Sequence, residues 1–147
     1  MDKNVALGTA VVIGGALALQ APLNSILGRH VGGLPATVVA FSVGLLALLA
    51  VSVVAGGLGN LGSLGDAPWY AVVGGGLISA IYVASIVWTV RALGATGLTA
   101  ATIAGQFGVA LLVDHFGWLG VERQPITATR LAGLAIIAFG TWLALDR

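Results

Sequence analysis

Five long apolar segments dominate this chain, and each is close to the length that a helix needs to cross a bilayer. A membrane-spanning helix requires about 20 mainly apolar residues. The segments cover residues 5–27, 34–55, 68–90, 98–118 and 126–145. A β-barrel would instead need alternating strands of about ten residues. The sequence therefore predicts an all-α integral membrane protein of five transmembrane helices, forming a single transmembrane domain over residues 1–147.

The composition excludes most soluble functions. Charged residues make up 7% of the 147, against about a quarter in a typical soluble domain. A net charge of +1 gives no basic surface for nucleic acid, and the lack of cysteine excludes disulfides and thiolate metal sites. The three glycines at 74–76 lack the lysine and hydroxyl of a phosphate loop. We expect neither an enzyme nor a cofactor, but an integral membrane protein.

Glycine and proline mark the connections between the segments. Residues 28–33 are rich in glycine and precede Pro35, which suits the first turn of a new helix. Residues 56–63 are predicted to form a flexible, uncharged loop, and residues 94–97 to form a turn. Residues 120–125 form the most polar connection. Each connection is too short to hold a soluble domain.

The six Lys and Arg residues divide evenly between the two sides of the membrane in this arrangement. An excess of such residues on one side normally orients a membrane protein. An even division removes that bias, so two copies can insert in opposite orientations and pair as an antiparallel homodimer, a pseudo-two-fold transporter. The side of the N-terminus has Lys3, Arg123 and Arg130, and the opposite side has Arg29, Arg91 and Arg147.

Two amide side chains lie within the first segment. Gln20 and Asn24 are four residues apart and share a helix face. Pro22, between them, removes a backbone donor and is predicted to break the helix, freeing carbonyls near Ala18. Broken helices flanked by polar groups form substrate sites in transporters. The alternative, weighed equally, is that the amides satisfy those carbonyls or hold helices together.

Further polar groups mark the third and fourth segments. Tyr82 lies on a polar face of the third segment with Ser79 and Thr89 and could provide an aromatic wall for an organic solute. The alternative for the hydroxyls is packing with hydrogen bonds back to their own helix. Gln106 lies near the middle of the fourth segment. We predict that Gln20, Asn24, Tyr82 and Gln106 line a substrate site.

Asp114 is the one carboxylate predicted to lie within a segment. Proton-coupled transport needs a group that changes charge, and burial raises the pKa of a carboxylate towards the working pH. Asp114 is therefore a candidate for ion coupling. The favoured alternative is an ion pair at the membrane interface with Arg123 or Arg130.

Two motifs of this chain resemble those of the YdcZ-type family of small membrane proteins, within the drug/metabolite transporter superfamily. The first comprises LQAPLNS at residues 19–25 and GLPAT at residues 33–37. The second comprises LVDHFG at residues 112–117, RQPIT at residues 123–127 and RLAG at residues 130–133. The resemblance implies a five-span half-transporter of the bacterial inner membrane, which the family contains as dual-topology single genes, as paired genes and as fused proteins.

The chain departs from one group of relatives in that superfamily. Small multidrug-resistance exporters depend on a glutamate in the first span, where this chain has Gln20 and Asn24 instead. Proton coupling by that route is therefore not expected. The leading hypothesis is a homodimer in the bilayer that moves a small organic solute by alternating access. The alternatives are a non-transporting scaffold or accessory subunit, and one half of an obligate heterodimeric transporter.

Overall fold

The computed structural model describes residues 2–146, and every regular element within them is a helix. Four of these helices are long and apolar enough to cross a membrane. The predicted all-α membrane protein is thus confirmed. The α-helices are α1 (Lys3–Val31), α2 (Gly33–Val54), α3 (Trp69–Phe116) and α4 (Ala128–Leu145), and 3-10 helices cover Gly57–Asp66 and Trp118–Gly120.

A single glycine separates α1 from α2. Gly32 has φ 89° and ψ 158°, a backbone conformation with positive φ that residues with a Cβ rarely adopt. The Asp2 carboxylate accepts a hydrogen bond from the backbone N–H of Asn4 at 3.1 Å and caps the start of α1. The turn at Gly32 packs α1 and α2 against each other as a helical hairpin.

The helix α3 is interrupted at Gly94, which has φ 71° and ψ 171°. A continuous helix of 48 residues would be about 72 Å long, more than twice the thickness of the hydrocarbon core. The break lies within the predicted turn at residues 94–97. The predicted third and fourth segments correspond to the two parts of α3, residues 69–93 and 95–116.

Two local predictions were wrong. Pro22 lies inside α1, which continues from Lys3 to Val31 without the predicted break. A missing backbone donor can be tolerated in a membrane helix because neighbouring groups satisfy the freed carbonyl. Most of the predicted flexible loop at 56–63 instead belongs to a 3-10 helix, Gly57–Asp66. Gly56, before it, is in the left-handed conformation with φ 68°.

The chain forms two compact units, the first ending at Arg91 and the second beginning at Ala92. In the first unit, small residues of α1 and α2 face a row of aliphatic side chains on α3. A Cβ added to Gly28 would lie 2.6 Å from Val87 Cγ1, so the backbone of α1 lies directly against α3. The buried residues are Ala21, Asn24, Ser25 and Gly28 of α1, Ala36 and Thr37 of α2, and Val83, Ile86, Val87 and Val90 of α3.

The second unit pairs α4 with the second part of α3. The Thr141 hydroxyl donates a hydrogen bond to the carbonyl of Ala100 at 3.0 Å, and also to that of Ile137 in its own helix. A Cβ added to Gly97 would lie 2.6 Å from Leu145 Cδ2, so the two helices approach closely near the start of one and the end of the other. The single domain over the whole chain stays a prediction.

Candidate functional site

A cavity of about 340 Å³ opens between three helices of the first unit. Its walls are Gln20 of α1, Val83 of α3 and five residues of α2 between Ala40 and Leu48. None of the described residues that line it is charged, and Gln20 supplies their one polar side chain. Small-molecule sites are concave, mainly apolar and about 300–1,000 Å³ in volume. The cavity has the size and composition of such a site.

Asn24 lies one helical turn beyond Gln20 on α1. Its side chain is buried, with 7% exposed, because it shares the inner face of α1 with Ala21 and Gly28. Its Nδ2 has no hydrogen-bond partner in the part of the chain that the structure describes. A buried donor without a partner destabilises a protein by about 1–3 kcal/mol. Of the two predicted amides, the structure thus places Gln20 in the cavity wall, whereas Asn24 is not among the described lining residues and has a side-chain nitrogen without a partner.

The hydroxyls of the predicted polar face bond to their own helix. Ser79 donates to the carbonyl of Gly75 at 2.8 Å, and Thr89 donates to that of Ser85 at 2.9 Å. The hydrogen bonds of the alternative are therefore present, although Ser79 is exposed rather than packed in the interior. Tyr82 is 38% exposed and is not among the described residues that line the cavity, although it precedes Val83, which does line it.

Gln106 belongs to the second unit. It lies in the part of α3 after Gly94, and its side chain is exposed. The hydroxyls of Thr99 and Thr102, on the same helix, donate to the carbonyls of Ala95 and Leu98. Because the Gln106 side chain is exposed, its amide can meet another molecule or another helix.

Asp114 is paired with Arg130. Arg130 Nη1 lies 3.3 Å from Asp114 Oδ2, and the two side chains are 31% and 32% exposed. Arg130 Nη2 also donates to Gln124 Oε1. Arg123, the other candidate partner, donates from Nε to the carbonyl of His115 at 3.0 Å. The favoured alternative for Asp114, an ion pair, is what the structure contains.

Several contacts could not be anticipated from the sequence. The connection after α3 is held to the end of that helix, because Gln124 N–H donates to the Asp114 carbonyl at 2.8 Å and Ile126 N–H donates to His115 Nδ1 at 3.3 Å. Arg91 donates to the hydroxyl of Ser25 at 3.4 Å. The α2 wall of the cavity was also missed, because its apolar residues have the same composition as a lipid-facing surface.

The chemistry available at the cavity is hydrogen bonding and apolar contact. Within residues 2–146, no group of three or more His, Asp or Glu side chains could hold a metal ion. Carboxamides are uncharged donors and acceptors that do not titrate near neutral pH. Such a site can select and hold a solute.

The comparisons agree with the membrane character of the fold. A family model described as "Putative inner membrane exporter, YdcZ" matches residues 5–143. No curated protein and no solved structure matches the chain. The match confirms the resemblance drawn from the two sequence motifs, and with it a transport protein integral to the inner membrane. Such a family comprises transporters rather than enzymes. The chain belongs to the YdcZ family of inner membrane exporters.

Proposed function

We propose that this protein is half of a dual-topology exporter, which moves a small organic solute across the inner membrane by alternating access. The observation that carries the proposal is the cavity between α1, α2 and α3, with Gln20 in its wall and the unpaired Nδ2 of Asn24 one turn away. A polar group within the membrane is costly and is therefore a candidate for function. An uncharged cavity with one amide in its wall and a second amide one helical turn away suits the binding of an organic solute.

A subunit of five spans is supported by the length and the break of α3. Forty-eight residues are enough for two crossings, since one crossing needs about 20. Gly94 divides α3 into a part of 25 residues, 69–93, and a part of 22 residues, 95–116, so a reversal at this glycine would give two spans. The remaining helices α1, α2 and α4 would each cross once.

Antiparallel pairing of two copies is supported by the distribution of charge. With five spans, the basic residues fall on the two sides in equal number, and neither orientation is favoured. Two oppositely oriented copies are related by a two-fold axis in the membrane plane, the symmetry on which many transporters build a central site. Arg147, one of the six, lies outside the described residues.

The residues proposed to bind substrate are Gln20, Asn24 and Tyr82, in the first unit, and Gln106, in the second. Asn24 and Gln106 supply hydrogen bonds, and Tyr82 supplies an aromatic wall. Ion coupling through Asp114 would require its pair with Arg130 to open during the cycle. The paired state favours a role for Asp114 in holding the connection between α3 and α4.

Export by cells tests the proposal. Cells without other efflux systems would be loaded with a panel of labelled organic solutes, and the rate of efflux would be compared with and without the protein. We expect faster efflux of at least one solute, abolished by Asn24→Ala and by Gln106→Ala without loss of dimer assembly. Ser79→Ala is the control, because its hydroxyl bonds only to its own helix. Normal export by both amide variants would exclude the proposed site.

The rivals give different results. A scaffold or accessory subunit would leave efflux of every solute unchanged. Half of an obligate heterodimer would insert in one orientation and export only when a second chain of opposite charge bias is present. The even charge distribution of this chain favours the homodimer over that arrangement.

A further inference from the structure

Two observations in the first unit concern the same turn of α1. The cavity of about 340 Å³ has Gln20 as the one polar side chain among its described lining residues. Asn24, four residues on, has a buried Nδ2 without a partner. Residues four apart lie one above the other on a helix face. The unmet donor therefore lies one helical turn from the polar residue of the cavity wall.

We propose that this cavity binds an uncharged molecule with an apolar body and a carbonyl-type oxygen, which accepts a hydrogen bond from Asn24 Nδ2. The inference rests on the proposed export function and specifies the class of its substrate. It requires the Asn24 side chain, which is not among the described lining residues, to turn towards the cavity.

The chemistry of the walls excludes charged ligands. An ion in an apolar cavity loses its hydration, and only a paired, hydrogen-bonded charge can compensate for that loss. None of the described lining residues is charged. Asp114 and Arg130, in the second unit, are already paired with each other. An uncharged acceptor satisfies the donor without bringing an unpaired charge into the membrane.

A purely apolar ligand would fill the cavity but leave Asn24 Nδ2 unmet. A side-chain hydrogen bond between helices of a membrane protein contributes about 0.6 kcal/mol to stability on average and about 1.7 kcal/mol at most, and we take the same range for the ligand. That range corresponds to an affinity about three- to twentyfold higher for the acceptor-bearing ligand. A lipid acyl chain, which lacks an acceptor along its length, would not gain this advantage.

The first unit contains an internal reference. A second cavity, of about 360 Å³, lies at the end of α2 against Ala50, Val51, Val54 and Ala55, and its described walls are entirely apolar. Residues of α2 line both cavities, so both meet the same concentration of probe dissolved in the bilayer. The ratio of labelling between them removes the effect of partitioning into lipid.

The experiment uses photolabelling of the full chain in lipid nanodiscs. Three ten-carbon probes carry the same terminal alkyl diazirine: a methyl ketone, a hydrocarbon and a carboxylate. Labelled peptides are mapped by mass spectrometry, and labelling at residues 40–48 is divided by labelling at residues 50–55. We expect this ratio to be about three- to twentyfold higher for the ketone than for the hydrocarbon, and lowest for the carboxylate.

Asn24→Leu keeps the number and branching of the side-chain heavy atoms and removes the donor. In this variant the ketone ratio should fall at least threefold, whereas Ser79→Ala should leave it unchanged. Equal ratios for ketone and hydrocarbon in the unsubstituted protein would overturn the inference and identify the cavity as an acyl-chain pocket. A carboxylate ratio as high as that of the ketone would overturn it as well.

The failure of this inference is distinguishable from the failure of the export function. If the ketone is not preferred but efflux still depends on Gln106, the substrate class is wrong and the exporter stands. If the ketone is preferred but no solute of the panel is exported, the cavity is a binding site and the export proposal falls.

Discussion

Arg130 Nη1 lies 3.3 Å from Asp114 Oδ2, so an ion pair joins the first turn of α4 to the last turn of α3. Arg130 also holds Gln124, whose backbone N–H donates to the Asp114 carbonyl. The ion pair joins the two helices directly. The two contacts of Gln124 also hold the connection against the Asp114 backbone and the Arg130 side chain. This arrangement gives Asp114 a structural role within the second unit.

The substitution Asp114→Asn removes the charge of this pair. We expect unfolding to become easier by about 0.2–1 kcal/mol, because both side chains are partly exposed and solvent weakens their attraction. The measurement is the midpoint of unfolding in a denaturing detergent titration. Asp66→Asn is a control, since Asp66 is exposed and lies in a different connection. An unchanged midpoint combined with loss of proton-dependent export would instead assign Asp114 to ion coupling.

The close approach of α1 to α3 makes Gly28 sensitive to substitution. In Gly28→Ala the new Cβ would lie 2.6 Å from Cγ1 of Val87, which is 1% exposed. Overpacking of this kind destabilises by about 1–3 kcal/mol, seen as a lower unfolding midpoint. Gly44→Ala, with nothing within 4 Å of the added Cβ, should be neutral or slightly stabilising. If Val87→Ala does not restore part of the loss in Gly28→Ala, the contact is not its cause.

Replacement of the buried amide of Asn24 is predicted to keep or raise the stability of the protein rather than lower it. Asn24→Leu should unfold at the same or a higher denaturant concentration, because the variant no longer buries an unsatisfied donor, while export should be lost. Stability is measured by the same titration and export by solute efflux. Asn24→Ala is the comparison that leaves a void. A large loss of stability in Asn24→Leu would show that the amide holds helices together.

Orientation is measured with two single cysteines in this cysteine-free chain. We choose Gly62→Cys, where an added Cβ meets nothing within 4 Å, and Glu122→Cys, in the exposed connection before α4. With five spans and dual topology, a membrane-impermeant thiol reagent should label both sites partially in intact cells. Labelling should become complete only after permeabilisation.

The other labelling patterns have definite meanings. Full labelling of both sites, or of neither, indicates one fixed orientation and removes the antiparallel homodimer. Full labelling of one site and none of the other places the two on opposite sides, which contradicts five spans. A cysteine at Gly15, in the middle of α1 with open space around it, controls for leakage of the reagent into the membrane.

Much of the fold could be predicted because it depends on local properties. The predicted second segment, 34–55, and the helix α2, Gly33–Val54, nearly coincide, since an apolar run of this length has few alternatives in a bilayer. The predicted turn at 94–97 contains the break at Gly94 for the same reason. Pro22 misled, because the rule that proline breaks a helix is derived from helices in water and is weaker in a membrane.

The candidate site was only partly predictable. A polar residue in a membrane span is energetically unfavourable and is therefore a candidate for function, which singled out Gln20 and Asn24 in the sequence. It did not identify Val83 or the α2 wall, because apolar residues in a span look alike whether they face lipid or a cavity. Nor did it choose between Arg123 and Arg130 as the partner of Asp114, since that depends on how the connection folds.

The sequence by itself determined that this protein is embedded in a membrane, that it is helical and to which family it belongs. The long apolar segments, the few charged residues and the two short motifs are local features that can be recognised without any long-range contact. The tertiary structure decided which faces meet. The cavity beside Gln20, the unmet donor of Asn24 and the pair of Asp114 with Arg130 all arise from helices and connections that are distant in the chain or folded back on it. Such contacts depend on packing between surfaces, which the pattern of a single helix does not specify.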